Sequence, residues 1–149
     1  MVKLHSNLSI MFWNIIFETI RRKNEVDNPK LILISPWMSD IEIDNSRWSS
    51  GALQALTESI EWNGTFDKLS DVLSAAVKCG IEVQVILAAR NGKWLKKSSD
   101  IMVQRESVFI EKLKKYGVKC NLKPDFHRKN ILSPFAYLSG SANFTANGL

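Results

Sequence analysis

Two short segments, each preceded by a turn, most constrain how this chain can fold. Residues 31–34 form a continuous aliphatic run after Asn28-Pro29, which is typical of a strand buried on both faces of a sheet. Residues 82–87 follow Gly80 and are also predicted to form a strand. Because a helical pattern directly precedes the second strand, the sequence predicts an α/β protein.

Helices are predicted between and before these strands. Apolar residues recur at helical spacing over residues 7–22, 69–77 and 103–116, and the last two patterns stop at Gly80 and Gly117. Thr65 or Asp67 is the expected cap of the second helix. Residues 118–122 predict a third strand. Residues 45–63 are polar and rich in serine, and we expect a loop with a short strand or helix there.

Composition places the chain among soluble globular proteins of one domain. It has 149 residues, of which 45% are hydrophobic and 23% charged. No run reaches the length of about 18 apolar residues expected of a membrane span, and the start lacks a signal-peptide pattern, so we expect a cytoplasmic protein. Cys79 and Cys120 lack metal-site spacing and are expected to be reduced thiols.

Positive charge suggests a polyanionic partner. The net charge is +5, and the basic residues gather in the second half of the chain. The segment 90–97 contains Lys93 and Trp94, which can contact a phosphate and stack on a base. The alternative is a solvated loop that Trp94 anchors. Trp37 and Asp40 follow the first strand and are expected to line a site, unless Trp37 is a packing residue.

A cluster of reactive residues lies near the end of the sequence. His127, Arg128 and Lys129 precede a predicted hairpin with strands 130–132 and 135–138 and a turn at Ser133-Pro134. Alternation along a strand would direct His127 and Lys129 to one side. The residues that follow the hairpin are Gly140, Ser141 and Asn143. An imidazole, an ammonium, a hydroxyl and an amide together suit the binding and attack of a phosphodiester.

The run FHRKNILSPFAYLSGSANFT resembles the H-x-K and G-S-x-N signature of the phospholipase D superfamily. Residues 30–43, 66–88 and 107–123 resemble further elements of that family, so the likeness covers about four fifths of the chain. Two departures are visible. Pro134 stands where the family usually has an aspartate, and the chain ends at Leu149, before the family's last helix, strand and acidic residue. Three explanations for the missing acid stay open: a trimmed chain, a partner that completes the site, or replacement by Asp40 or Asp125.

The resemblance implies a mixed, mostly parallel sheet flanked by helices on both faces, and a metal-independent phosphodiesterase that needs no cofactor. His127 would be the nucleophile, Lys129, Ser141 and Asn143 would bind the phosphate, and Gly140, Arg128, Trp37, Lys93 and Trp94 would contact the substrate. Since the chain has one motif, a homodimer would supply the second histidine. A nuclease on DNA or RNA is the first expectation. A nucleic-acid-binding subunit of a larger, defence-type assembly is the alternative, and a phospholipid phosphodiesterase comes third.

Overall fold

The structure is a computed structural model that describes residues 4–42, 68–89, 100–124, 126–140 and 143–145. These residues form an α/β fold with three α-helices and one mixed five-stranded sheet. The helices are α1 (Leu4–Arg21), α2 (Leu69–Lys78) and α3 (Asp100–Lys115), and a short 3-10 helix, Lys23–Glu25, follows α1. The strands are β1 (Lys30–Ile34), β2 (Glu82–Ala88), β3 (Lys119–Lys123), β4 (Lys129–Leu132) and β5 (Tyr137–Gly140).

The sheet has the order β3-β2-β1-β4-β5, with β1 in the centre. β1 pairs in parallel with β2, and β2 in parallel with β3, whereas the β1–β4 and β4–β5 pairs are antiparallel. The predicted mixed sheet is confirmed, although only half of its pairings are parallel rather than most of them. Because β4 runs against β1, the residues that begin β4 lie beside the carboxyl end of β1.

Burial shows which face of the sheet the helices cover. Leu33, Val85 and Ile131 share one face through the strand register, and all three are fully buried. α2 and α3 contact each other, and their buried side chains belong to the same core cluster as Leu33, Val85 and Ile131, so both helices lie on one face. α1 packs against β5, where Leu138 is buried while Tyr137 is 61% exposed. All three described helices therefore cover one face, and the predicted second helical layer is not among the described residues.

Helix boundaries follow from local chemistry. Lys68 is the N-cap of α2, and its N–H donates to the Asp71 carboxylate at 3.0 Å. The predicted cap at Thr65 or Asp67 is therefore wrong, and both of these residues lie outside the described residues. Gly80 and Gly117 adopt φ of 88° and 90° after α2 and α3, a conformation that glycine reaches without strain. The predicted helices and the first three strands are confirmed to within a few residues.

The hairpin differs from its predicted form. The return strand is Tyr137–Gly140 rather than residues 135–138. The Ser133 hydroxyl accepts hydrogen bonds from the N–H groups of Phe135 and Ala136, both at 3.1 Å, which holds these residues in the turn. In addition, the Arg22 guanidinium lies 4.1 Å from the centre of the Phe135 ring. The turn is therefore wider than Ser133-Pro134.

Among the described residues, no helix has both the length and the apolar character that a membrane span requires. The predicted loop or short element at residues 45–63 and the basic segment 90–97 lie outside the described residues.

Candidate functional site

The two halves of the predicted motif meet at one edge of the sheet. Lys129, the first residue of β4, is the register partner of Gly140, the last residue of β5. Asn130 is paired with Ile34 at the end of β1, so Lys129 also lies beside the residue that follows β1, Ser35. The sheet edge where the parallel strands end is the usual ligand side of an α/β fold. Hereafter this edge is called the carboxyl edge.

Ser35 connects the end of β1 to the G-S-x-N segment. Its side chain is fully buried, and its hydroxyl accepts a hydrogen bond from the Phe144 N–H at 3.1 Å. The same hydroxyl donates to the Trp37 carbonyl at 2.5 Å and lies 3.5 Å from Oδ1 of Asn143. The amide oxygen of Asn143 faces Ser35, and the amide nitrogen at the other end of the group is a hydrogen-bond donor of the kind that can bind an anion.

Phe144 fixes the same segment from the other side. Its carbonyl accepts from the Ser39 N–H at 3.1 Å, and it forms a parallel bridge with Met38. Its ring, 3% exposed, lies 4.9 Å from the Phe12 ring of α1. Burial of an aromatic ring contributes a few kcal/mol of hydrophobic free energy, of the order of 2 to 3. Asn143 is thus held at the carboxyl edge by its buried neighbour.

A buried carboxylate supports the loop after β1. Glu106 of α3 is only 4% exposed, and its Oε2 accepts the Met38 N–H at 3.1 Å. Burial of a carboxylate away from water destabilises the folded state unless the carboxylate is hydrogen-bonded. The bond from the Met38 N–H therefore helps to stabilise Glu106 in its buried position. It ties α3 to the same loop that Phe144 and Ser35 hold. Glu106 therefore belongs to the framework of the site.

The carboxylate of Asp40, which follows β1, is bound at the start of α2. Its carboxylate accepts the Ser70 N–H at 2.8 Å and the Ser70 hydroxyl at 2.7 Å, at the start of α2. The Lys112 ammonium lies 3.3 Å from the same carboxylate. An acid at a helix start satisfies N–H groups that lack helical partners. The prediction that Asp40 replaces the family's missing acid is thereby unsupported, because its contacts lie on α2 and α3.

The basic residues of the motif remain accessible. His127 and Arg128 are exposed in the extended segment before β4, and Lys129 is half-buried at the first position of the strand. Only Lys129 is within the strand, so the expected alternation applies to it but not strictly to His127. Gly140 is exposed and Asn143 half-buried. Phosphate oxygens placed at this edge would meet an ammonium and an amide.

Pro134 lies at the opposite end of the hairpin from His127. It is exposed in the turn after β4, five positions beyond Lys129. At about 3.3 Å per residue, these positions correspond to roughly 16 Å along the strand. A side chain at position 134 is therefore too far away to contact the imidazole of its own chain.

Trp37 is half-buried in the loop after β1, where its carbonyl is bound by Ser35. The predicted site residues Ser141, Lys93 and Trp94, and also Asp125, lie outside the described residues. Within the parts of the chain that the structure describes, no three His, Cys, Asp or Glu side chains form a group suited to a metal ion.

Sequence reasoning missed two residues of the framework, Ser35 and Glu106. Each carried a signal. Ser35 directly follows a buried strand, where ligand-side residues are expected. Glu106 precedes Phe109 and Leu113 by three and seven positions, so it occupies the buried stripe of α3. A carboxylate in such a stripe must have a buried hydrogen-bond donor.

No family model matches this chain, and no curated protein matches it.

Proposed function

We propose that this protein is a metal-independent phosphodiesterase with a phospholipase D-like fold, and that its substrate is DNA or RNA. The observation that carries the proposal is the register of the β4–β5 hairpin. It brings Lys129 next to Gly140, while Ser35 and Phe144 hold Asn143 at the same edge. Two segments that carry phosphate-binding groups thus converge from separate parts of the motif.

The proposed chemistry has two steps. The neutral imidazole of His127 attacks phosphorus, a nitrogen–phosphorus bond forms, and the bond to the leaving oxygen breaks. A second histidine, which is protonated, donates its proton to that oxygen. Water then attacks the phosphohistidine, with the second histidine accepting its proton, and the imidazole is released. Lys129 and Asn143 reduce the charge on the non-bridging oxygens in both steps.

The two histidines act on opposite sides of phosphorus, so one imidazole cannot take both roles in the same step. We therefore propose a homodimer in which each copy contributes one His127. A two-fold axis places identical residues opposite each other, which suits a pair of exposed imidazoles at a sheet edge. His127 is exposed in the chain described here, as this arrangement requires.

The position of Pro134 favours catalysis over a purely binding role. The missing motif aspartate is one of the two departures from the family pattern, and by itself it would favour a purely binding role. The turn that contains Pro134 is distant from His127 within the chain, next to the Arg22–Phe135 contact. Loss of an acid at that turn would affect the hairpin more than the chemistry. A binding subunit of a larger assembly remains the second candidate, and the basic carboxyl edge would serve it equally.

The test is cleavage of labelled single- and double-stranded DNA and RNA in excess EDTA. The wild type should cleave at least one of these substrates, and His127→Ala should not. His5→Ala is the matched control, because it removes the other of the two histidines in the chain and should leave cleavage intact. Binding by the wild type without cleavage, under conditions where the dimer is formed, would establish the binding role instead.

Formation of the intermediate is a separate measurement. Reactions of the wild type that are quenched with denaturant at alkaline pH should contain an acid-labile, base-stable phosphoryl adduct on the peptide with His127. Cleavage by His127→Ala at the wild-type rate would exclude this mechanism.

A further inference from the structure

Basic side chains lie at both edges of the sheet, and the two edges differ in whether a carboxylate forms an ion pair with them. Lys30 and Lys119 lie at the edge where the parallel strands begin, and both form ion pairs with Glu82. The Lys119 and Lys30 ammonium groups hold the pKa of Glu82 below its ordinary value, so this cluster remains paired at neutral pH. These two lysines therefore carry charge that a neighbouring carboxylate already balances.

The basic residues of the carboxyl edge are not balanced in this way. Lys123, the last residue of β3, is exposed, as is Arg128 just before β4. No carboxylate among the described residues forms an ion pair with either of them. This edge thus presents cationic groups that are free to bind phosphate, in contrast to the opposite edge.

The strand register fixes the relative positions of these two residues. Lys123 is paired with Ala88, two residues beyond the Ile86–Ile34 pair, and Ile34 is paired with Asn130. Arg128 lies two residues before Asn130, so Arg128 and Lys123 are at about the same position along the strand direction. Since β3 and β4 are separated by three strand spacings of about 4.8 Å, the two residues are roughly 14 Å apart.

We propose that Lys123 binds a second phosphate of a nucleic-acid strand that crosses the carboxyl edge, while His127 and Lys129 hold the phosphate to be cleaved. This inference rests on the proposed function and specifies its substrate as a polymer. Phosphates of a stacked strand are about 3.4 Å apart along the axis, so roughly 14 Å corresponds to about four linkages, or fewer in an extended strand. A phospholipid with a single phosphodiester cannot occupy both positions.

The test compares Lys123→Ala with Lys119→Ala. Both lysines are on β3, both point to the same face, and both substitutions remove one positive charge, but only Lys119 is paired with Glu82. Binding is measured by fluorescence anisotropy with a labelled single-stranded oligonucleotide of about ten nucleotides, within the usual site size of such proteins. A His127→Ala background prevents cleavage by the protein during the measurement, and EDTA suppresses contaminating metal-dependent nucleases.

Lys123→Ala should weaken binding several-fold and lower the slope of log K against log salt by about 0.7, the value for one phosphate on a single strand. Lys119→Ala should change neither quantity appreciably. With a labelled dinucleotide, which has one linkage, Lys123→Ala should bind as well as its background. This length dependence distinguishes a second phosphate position from a general effect of charge.

Three results would overturn the inference. Equal losses for Lys119→Ala and Lys123→Ala, or an equal loss with the dinucleotide, would exclude a phosphate position at Lys123 while leaving the proposed cleavage untouched. Absence of oligonucleotide binding by the background protein would exclude a nucleic-acid strand at this edge altogether. The proposed reaction is judged separately, by cleavage with the wild type and its loss in His127→Ala.

Discussion

The Ser35 hydroxyl lies 3.5 Å from Oδ1 of Asn143, across 108 positions of sequence, and it also accepts the Phe144 N–H. A single buried oxygen thus joins the end of the central strand to the amide that we propose contacts phosphate. Both the stability of this junction and the orientation of the amide depend on that oxygen.

Ser35→Ala should destabilise the fold and impair the site. Without the hydroxyl, the buried N–H of Phe144 loses its acceptor, which costs about 1 to 3 kcal/mol. Urea unfolding measures the change. Ser139→Ala, an exposed serine on β5, is the control and should stay within about 0.5 kcal/mol of the wild type. Similar stability of both variants would show that the Phe144 contact contributes little.

Asp40→Ala should lower stability without removing the chemistry. The substitution leaves the start of α2 without its carboxylate acceptor, and caps of this kind contribute about 0.5 to 2 kcal/mol. Thermal unfolding and cleavage per folded molecule are measured together. Asp27→Ala, at an exposed position, controls for loss of charge. If Asp40 instead oriented the histidine, cleavage would disappear at unchanged stability.

Glu106→Ala should be more harmful than Glu106→Gln. Glutamine retains an oxygen that can accept the Met38 N–H, whereas alanine leaves that N–H unsatisfied and creates a cavity, at a cost of about 1 to 3 kcal/mol for the hydrogen bond alone. Comparison of the two by urea unfolding separates hydrogen bonding from charge. A glutamine variant as unstable as the alanine variant would mean that the negative charge itself is required.

Cys120 should react slowly with thiol reagents. Burial raises the pKa of its thiol, and a raised pKa means less thiolate at a given pH. Alkylation near pH 8, followed by peptide mass spectrometry, should therefore be slower at Cys120 than at an unstructured cysteine peptide, and should accelerate as pH rises. A rate equal to that of the peptide, in the folded protein, would contradict the prediction.

The sequence predicts best those helices and strands whose pattern lies within a few neighbouring residues. The aliphatic run of β1, the helix that stops at Gly80 and the strand that follows it are visible because burial and backbone preference agree within a few residues. The return strand of the hairpin was placed two residues early. Its start depends on the Ser133 side chain and on the Arg22 contact with Phe135, which joins residues distant in sequence.

The site was only partly predictable for the same reason. The spacing of Lys129 and Gly140 within a hairpin implied their proximity, and the register confirms it. The roles of Ser35, Glu106 and Asp40 depend on contacts between elements remote in the chain. Asp40 was expected at the site because it follows a strand, whereas the nearby start of α2 offered it two hydrogen-bond donors.

The central place of β1 in the sheet has a consequence for biosynthesis. As the chain leaves the ribosome, β1 can pair with β2 on one side, but its other edge stays open until β4 emerges nearly one hundred residues later. An open edge is a template for unwanted pairing between nascent chains. Closure of that edge by β4 is also the step that brings Lys129 beside Ser35. A ribosome-bound chain without β4 would therefore be prone to aggregation, and it would also lack the junction between Lys129 and Ser35.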